Sequence, residues 1–125
     1  MRIELYCDGG CRGNQGRTNV GGWGVHLVWG EHVKDLHGGE LNTTNNKMEL
    51  TAAIEGLRAI KNKGVGVDVY VDSAYVLNGI TSWIYGWMKK DWKNSKKEPV
   101  ANKELWLELL AEKEKFADIE FHKVK

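Results

Sequence analysis

Two short apolar segments that each end in an aspartate constrain the fold of this chain most. Residues 2–8 alternate apolar and polar side chains and close on Asp8, and residues 67–72 repeat the pattern and close on Asp72. A period of two is typical of β-strands. If the two strands pair in parallel, both carboxylates project into the crevice beyond the strand ends, which is where open α/β sheets bind ligands.

The segment between these strands predicts an amphipathic helix that carries a third carboxylate. Asn45 or Asn46 is a suitable cap, apolar residues follow at helical spacing over residues 50–60, and Gly64 is placed to end the helix. Glu49 lies in the first turn. Because this helix should pack over the same sheet, we expect Glu49 to approach the two aspartates.

The rest of the pattern completes one α/β domain. Further strands are predicted at residues 22–29, 32–41 and 117–124, with a hairpin at 30–31, a glycine-rich loop at 9–16, and helices at 73–79, at 83–88 and from Asn102 onward. A hairpin meander followed by βα crossovers implies one mixed sheet with helices packed on it. The length of 125 residues fits a single domain.

Three carboxylates that meet at one point repel one another and require a cation. A shell of oxygen ligands suits Mg²⁺ or Mn²⁺ rather than zinc, and such sites are often completed by phosphate oxygens. This indicates phosphoryl-transfer chemistry with two ions. Each residue also has a structural interpretation, since Glu49 has capping-box spacing and Asp8 and Asp72 suit turns. The pattern alone therefore predicts no more than a candidate metal site.

Positive charge is concentrated in one segment. The chain carries a net charge of +1, yet six lysines and two acids fall between Trp83 and Lys103, a local charge of +4. Trp87 and Trp92 lie within the same segment. A lysine run by itself is usually a solvated face, but lysines interleaved with aromatic residues favour contact with a phosphate backbone.

Four motifs make the chain resemble the type 1 ribonuclease H family over nearly its whole length. The motifs are YCDGGCRGN at residues 6–14, TTNNKMEL at 43–50, VDSAYV at 71–76, and GITSW with the lysine-rich segment after it at 79–93. The resemblance implies a ribonuclease H-like α/β fold, a five-stranded mixed sheet in the order 3-2-1-4-5 flanked by helices. It also implies hydrolysis of the RNA strand of RNA/DNA hybrids by two divalent ions, which leaves a 3′ hydroxyl and a 5′ phosphate.

The resemblance further implies roles for individual residues. Asp8, Glu49 and Asp72 match catalytic carboxylates that hold Mg²⁺ or Mn²⁺. The matched substrate-binding positions comprise a minor-groove set on the RNA side, a DNA-phosphate pocket, a channel for the DNA backbone and a lysine-rich grip. The minor-groove set is Asn14, Asn45 and Asn46, and the phosphate pocket is Thr44 and Asn102. The DNA channel is Tyr75, Trp83 and Ser95, and the lysine-rich grip is Lys89, Lys90 and Trp92.

Residues 83–102 match the basic handle of the family, within a single domain of residues 1–125. The alternatives here are structural. Asn102 also suits a helix cap, Trp83 could anchor a short helix in the core, and we expect Trp87 to be mainly a core residue.

The chain departs from the family pattern at its end. The family continues with a glycine–histidine loop and a helix that carries a fourth catalytic aspartate, and His122 falls inside the last predicted strand and cannot replace that histidine. We therefore expect the chain to be part of a longer protein, with a naturally short form as the alternative. Three functions stay open: a hybrid endonuclease, a hybrid-binding module that does not cut, and a nuclease domain completed by a partner or a further segment.

The cellular setting follows from weaker signals. Two cysteines are too few for a disulfide framework, so a reducing, cytoplasmic location is expected. Since no apolar run approaches the roughly 18 residues that a membrane span needs, no membrane partner is expected. We expect a monomer, with self-association if the chain truly ends at Lys125, because the missing helix would leave apolar sheet surface uncovered.

Overall fold

A computed structural model describes residues 1–12 and 19–124. The strands are β1 (Ile3–Arg12), β2 (Val20–Trp29), β3 (His32–Leu41), β4 (Val67–Val71) and β5 (Ile119–Lys123). The helices are α1 (Asn45–Ala59), α2 (Ala74–Asn78), α3 (Ile84–Lys89) and α4 (Lys103–Glu114), and a π-helical turn (Gly79–Trp83) joins α2 to α3. Within the described ranges, no helix is long and apolar enough to cross a membrane.

The five strands form one mixed sheet in the order β3-β2-β1-β4-β5. The meander β1-β2-β3 is antiparallel, and β4 and β5 extend it in parallel from the other side of β1. Gly30 at the β2–β3 turn has a φ of 61°, a left-handed conformation that glycine adopts at little cost. The fold class and strand order predicted above are confirmed.

The hydrophobic core lies between this sheet and α1. Ile3, Leu5 and Cys7 point to one face of β1 and are buried, and α1 packs over β1 and β2. Each fully buried aliphatic side chain stabilises the fold by roughly 1.5–3 kcal/mol. Trp106 of α4 is fully buried over Gly79, where a Cβ atom would overlap the indole ring. The missing side chain therefore lets α4 close over the π-helical turn.

The first strand is longer than the sequence pattern predicts. The glycine loop expected from residue 9 is wrong in its first part, because β1 continues through Gly9 and Gly10 and pairs with β2 as far as Arg12. Its parallel ladder with β4 stops earlier, at the pair Cys7 and Val71. The two ladders of β1 therefore end at different points, and only the parallel one ends beside Asp8.

Both ends of α1 also differ from the prediction. Thr44, rather than Asn45 or Asn46, is the N-cap residue, and its side chain accepts a hydrogen bond from the backbone N–H of Lys47. Glu49 is consequently too far into the helix to be a capping-box partner. The helix ends at Ala59 instead of Gly64, and the Lys63 ammonium bonds to carbonyl oxygens of the last turn and the cap residue.

Candidate active site

The end of the β1–β4 ladder positions the two aspartates. Cys7 and Val71 are paired in parallel register, so the next residue on each strand, Asp8 and Asp72, leaves the ladder at the same level. Both are exposed, and both line one open pocket of about 620 Å³. The sequence prediction that these carboxylates share the crevice beyond the strand ends agrees with this arrangement.

Glu49 reaches the same place from α1. A Cβ atom at Gly9 would overlap the backbone of Met48 and lie 2.7 Å from the Glu49 nitrogen, so the glycine allows the helix to approach β1 closely. The Gly9 N–H then donates a hydrogen bond of 2.6 Å to Glu49 Oε1. Glu49 is only 9% exposed, and this backbone hydrogen bond fixes its carboxylate beside β1.

The pKa of Glu49 reflects its burial and its charged neighbours. Burial has the largest effect, and together with the negative charges of Asp8 and Asp72 it raises the pKa of Glu49 to about 7, against the opposing effect of the Gly9 hydrogen bond. Within the described part of the chain, no lysine or arginine forms a salt bridge with any of the three carboxylates. The cluster is thus a region of uncompensated negative charge.

The donor set fits a hard divalent cation by its chemistry. All three groups are carboxylates, and mutual repulsion without a cationic side chain is what such an ion would relieve. Across residues 1–12 and 19–124, however, no group of three or more His, Cys, Asp or Glu side chains already has a geometry that could hold a metal ion. The fit rests on donor chemistry and electrostatics, and the ion itself belongs to the proposal below.

The minor-groove candidates lie next to these carboxylates where they are described. Asn45 Oδ1 accepts a hydrogen bond of 2.7 Å from the Cys11 N–H, which leaves the amide NH₂ group available as a donor. Asn45 also lines an open pocket of about 450 Å³ with Gly10 and Arg12. Asn46 is exposed on α1, and Asn14 lies outside the described residues.

Of the two residues predicted to form a phosphate pocket, Asn102 lines a pocket between the first turns of two helices and Thr44 does not. A pocket of about 490 Å³ is lined by Lys47 of α1 and by Asn102 and Lys103 at the start of α4. Thr44 uses its hydroxyl oxygen to cap α1 and does not line this pocket. Asn102 occupies the N-cap position but makes no side-chain cap. Its amide instead donates to the Tyr75 hydroxyl at 3.2 Å.

The three residues predicted to form a DNA channel lie near one another, around an exposed tryptophan. Trp83 is 41% exposed, which excludes the alternative that it is a core anchor. It lines a pocket of about 260 Å³ with Ser95 and Lys90, and its ring meets that of Tyr75 edge-on at 5.8 Å. Trp87 packs against the core, as predicted.

The basic handle is a folded, highly charged loop. The Asn94 side-chain oxygen accepts hydrogen bonds from two backbone N–H groups of the loop, and a β-bridge joins Lys93 to Pro99. Lys89 and Lys90 are exposed, whereas Trp92 is half-buried, and its ring is tilted by 42° against that of Trp87, with the ring centroids 6.0 Å apart. Trp92 therefore supports the handle from beneath, and the lysines form its outer surface.

Comparison with known proteins decides the family. The RNase H family model matches residues 1–125. The chain belongs to the RNase H family. The ribonuclease H of Chromohalobacter salexigens is 52% identical over 124 residues, which make up 99% of this chain and 73% of that protein.

Two solved RNase H structures agree with this assignment. LC9-RNase H1, a type 1 RNase H with the type 2 active-site motif, has a TM-score of 0.79 and 28% identity, and the match covers 98% of this chain and 62% of that one. LC11-RNase H1, in complex with an RNA/DNA hybrid, has a TM-score of 0.68 and 26% identity over 98% of this chain and 85% of that one. The resemblance to type 1 ribonuclease H is confirmed.

Sequence reasoning missed one flank of this RNase H site. His26, Asp35 and His37 line the same pocket as the two aspartates, and His26 Nδ1 lies 2.6 Å from Asp35 Oδ1 across the β2–β3 pair. Only the strand register brings these residues beside Asp8, through Gly24, which pairs with both Asp8 and His37. The sequence shows only that residues 35 and 37 share one face of β3. That pattern does not place them near Asp8 until the pairing of β3 with β2 and of β2 with β1 is known.

Proposed function

We propose that this member of the RNase H family is an endonuclease that hydrolyses the RNA strand of RNA/DNA hybrids. The observation that carries the proposal is the meeting of Asp8, Glu49 and Asp72 at the end of the parallel ladder, within a fold shared with a protein solved in complex with a hybrid. The aligned segment spans about three quarters of the Chromohalobacter relative and 62% of LC9-RNase H1. Because this chain matches only part of those proteins, its cleavage activity and its substrate are proposals.

The three carboxylates would hold two divalent ions, Mg²⁺ or Mn²⁺. When bound, such ions supply an activated water and stabilise charge on the attacking and leaving oxygens of a phosphodiester. Water adds to phosphorus as the bond to the 3′ oxygen breaks, which leaves a 3′ hydroxyl and a 5′ phosphate. Without ions, burial and the charges of Asp8 and Asp72 raise the pKa of Glu49 to about 7, and binding of the ions would favour its ionised form.

The neighbouring surfaces would orient the hybrid over these carboxylates. Asn45, with Asn46 and Asn14, would donate to 2′ hydroxyls and base edges in the wide minor groove, which distinguishes RNA from DNA. Asn102, beside Lys47 and Lys103, would hold a DNA phosphate near the first turns of α4 and α1, where helix N-termini favour anions. Thr44 would contribute by capping α1.

The basic handle would bind the DNA strand. Trp83 and Ser95 line a pocket with Lys90, and Tyr75 contacts Trp83 from the core side. Lys89 and Lys90, supported by Trp92, would contact phosphates and increase affinity without reading sequence. The carboxylates would be responsible for cleavage, and the handle would increase the affinity for the hybrid.

The direct experiment is a cleavage assay on a panel of duplexes with both strands labelled. The proposal predicts that the RNA strand of a hybrid is cut with Mg²⁺ or Mn²⁺, and that duplex DNA, duplex RNA and the DNA strand of the hybrid stay intact. Hybrid binding without any cleavage would instead favour a binding module, or a nuclease completed by a partner or a further segment. Equal cleavage of duplex DNA would contradict the proposed role of the minor-groove residues, and equal cleavage of duplex RNA would contradict the proposed contacts to the DNA strand.

A further inference from the structure

The pairing of β2 with β3 continues past the ends of both strands through one side chain. The ladder closes on Val20 and Leu41, and one step further the Asn42 N–H donates to the Asn19 carbonyl oxygen at 2.9 Å. The Asn19 side-chain amide then donates to the Thr43 carbonyl oxygen at 3.0 Å and accepts from the Thr43 N–H at 2.8 Å. Because an asparagine amide offers a donor and an acceptor as a peptide group does, it acts here as one more residue of the ladder.

The backbone of Thr43 depends on these two bonds. Thr43 is only 5% exposed, and a buried N–H or C=O group that loses its partner is costly. Asn19 is itself half-buried. A Cβ atom at Gly21 would overlap the Thr43 side-chain methyl group, so β2 also packs directly against this residue. Thr43 is thus fixed to β2 both by hydrogen bonds and by close packing.

Thr43 leads directly into the residues proposed to read the minor groove. Thr44 is the N-cap of α1, and Asn45 and Asn46 are its first two residues. The Asn45 side-chain oxygen accepts a hydrogen bond of 2.7 Å from the Cys11 N–H of β1. The start of α1 is therefore attached to the sheet at two points, to β1 through Asn45 and to β2 through the bonds between Thr43 and Asn19.

We propose that Asn19 is a positioning residue for recognition of the RNA strand, which acts by holding the Thr43 backbone and with it the amides of Asn45 and Asn46. An amide can bond a 2′ hydroxyl only within a narrow range of distance and angle. Fixing its backbone before the substrate arrives therefore lowers the cost of binding. The inference rests on the proposed function, because it assigns the residue that orders one of the hybrid-binding surfaces.

The test compares the affinities of variants for an RNA/DNA hybrid and for a DNA duplex of the same sequence, by fluorescence anisotropy without divalent ions. Asn19→Ala removes both bonds, and the isosteric Asn19→Asp turns the donor into an oxygen that faces the Thr43 carbonyl. The matched control is Asn62→Ala, whose side chain accepts a bond from the Gly64 N–H. Ile60→Ala is the stability control, since Ile60 is buried at the opposite end of α1.

Both Asn19 variants should bind the hybrid about five- to tenfold more weakly, the equivalent of one lost hydrogen bond. Their affinity for the DNA duplex should stay nearly unchanged, because that duplex has no 2′ hydroxyl. Amide exchange at Thr43 should become faster in Asn19→Ala, and Asn62→Ala should behave as wild type. In the cleavage assay KM should rise and kcat should stay near wild type, since the β1–β4 register holds the carboxylates.

Three results would overturn the proposal. Unchanged hybrid affinity in Asn19→Ala would show that the clamp does not serve binding. An equal loss for the DNA duplex would show that it does not serve recognition of RNA, and an equal loss in Ile60→Ala would reduce its effect to general stability. Because the affinities are measured without divalent ions, an absence of cleavage by wild type would count against the proposed nuclease function alone.

Discussion

The carboxylate site and the basic handle are built in opposite ways. Asp8, Glu49 and Asp72 come from a strand, a helix and a strand end that are far apart in sequence, and the β1–β4 register and the α1 packing bring them together. The handle is one continuous segment, closed by local hydrogen bonds around Asn94. This contrast suits the proposed roles, because bond cleavage at the carboxylates would need fixed geometry, whereas binding of a charged polymer by the handle would need mainly charge.

This difference separates chemistry from affinity. A change at the carboxylates should reduce turnover and leave hybrid binding in place, and a change in the handle should do the reverse. The four predictions below test that separation.

The largest effect is expected from Asp8→Asn. The exchange keeps the shape of the side chain and removes one charge that the divalent ions need, so the cleavage rate should fall by more than the roughly 10–100-fold typical of outer-sphere groups. Single-turnover cleavage gives the rate, and anisotropy with a labelled hybrid gives the affinity, which should change little. Full cleavage by the variant would place the chemistry elsewhere.

A pair of glycines on β1 tests how the carboxylate site is held. Gly9→Ala should destabilise the protein by about 1–3 kcal/mol, because its Cβ would push α1 away from β1. Cleavage should fall with it, since Glu49 loses its position. The control is Gly10→Ala, whose nearest contact would be the Asn45 side chain at 3.5 Å. In urea unfolding and in cleavage assays, Gly10→Ala should be close to wild type. An equal loss of stability in both variants would contradict the packing argument.

Glu49→Gln should change how stability depends on pH. The folded pKa of Glu49, about 7, lies above the value of 4.5 expected when unfolded, so the folded protein binds more protons between these limits. In metal-free buffer, the contribution of Glu49 to the free energy of unfolding should be fully present below about pH 4.5 and lost as pH rises through 7. Urea unfolding at several pH values should show a flatter profile for Glu49→Gln. A profile parallel to that of wild type would mean that the pKa of Glu49 is not raised in the folded protein.

The smallest effect on turnover is expected in the handle. Lys89→Ala/Lys90→Ala should weaken hybrid binding severalfold and lower the salt dependence of log affinity by about one unit for each lost phosphate contact. The cleavage rate at saturating hybrid should stay near wild type. Lys113→Ala on α4 is the matched control. An unchanged salt slope would remove the handle from the account of binding.

The sequence predicts the carboxylate site better than its surroundings. Alternation in residues 2–8 and 67–72 was enough to predict two strands that end in Asp8 and Asp72, because period-two patterns are local. The extension of β1 through Gly9 and Gly10 was missed, since glycine is typical of loops and only pairing with β2 makes it strand. The role of Gly9 as a donor to Glu49 likewise depends on tertiary packing.

The handle shows the opposite balance. Its charge and its tryptophans were evident in the sequence, and the core position of Trp87 was predicted, but the exposure of Trp83 and the partial burial of Trp92 were not. Trp83 is exposed, while Trp87 and Trp92 are partly buried and pack against the core. Helical spacing does not extend over all three, because a π-helical turn precedes the short helix α3 and an irregular loop follows it. The position of His26 and His37 in the same pocket as Asp8 could not be predicted either, because it depends on strand register.

The most direct test of the central claim, that Asp8, Glu49 and Asp72 together hold divalent ions, is calorimetric titration of Mn²⁺ at pH 7 into wild type, Asp8→Asn and Asp72→Asn. Measuring in two buffers of different ionisation enthalpy gives the protons released. We predict binding by wild type with release of a fraction of a proton, because Glu49, with a pKa near 7, must ionise fully. Both variants should lose most of the affinity. Unchanged Mn²⁺ binding by Asp8→Asn would contradict the account.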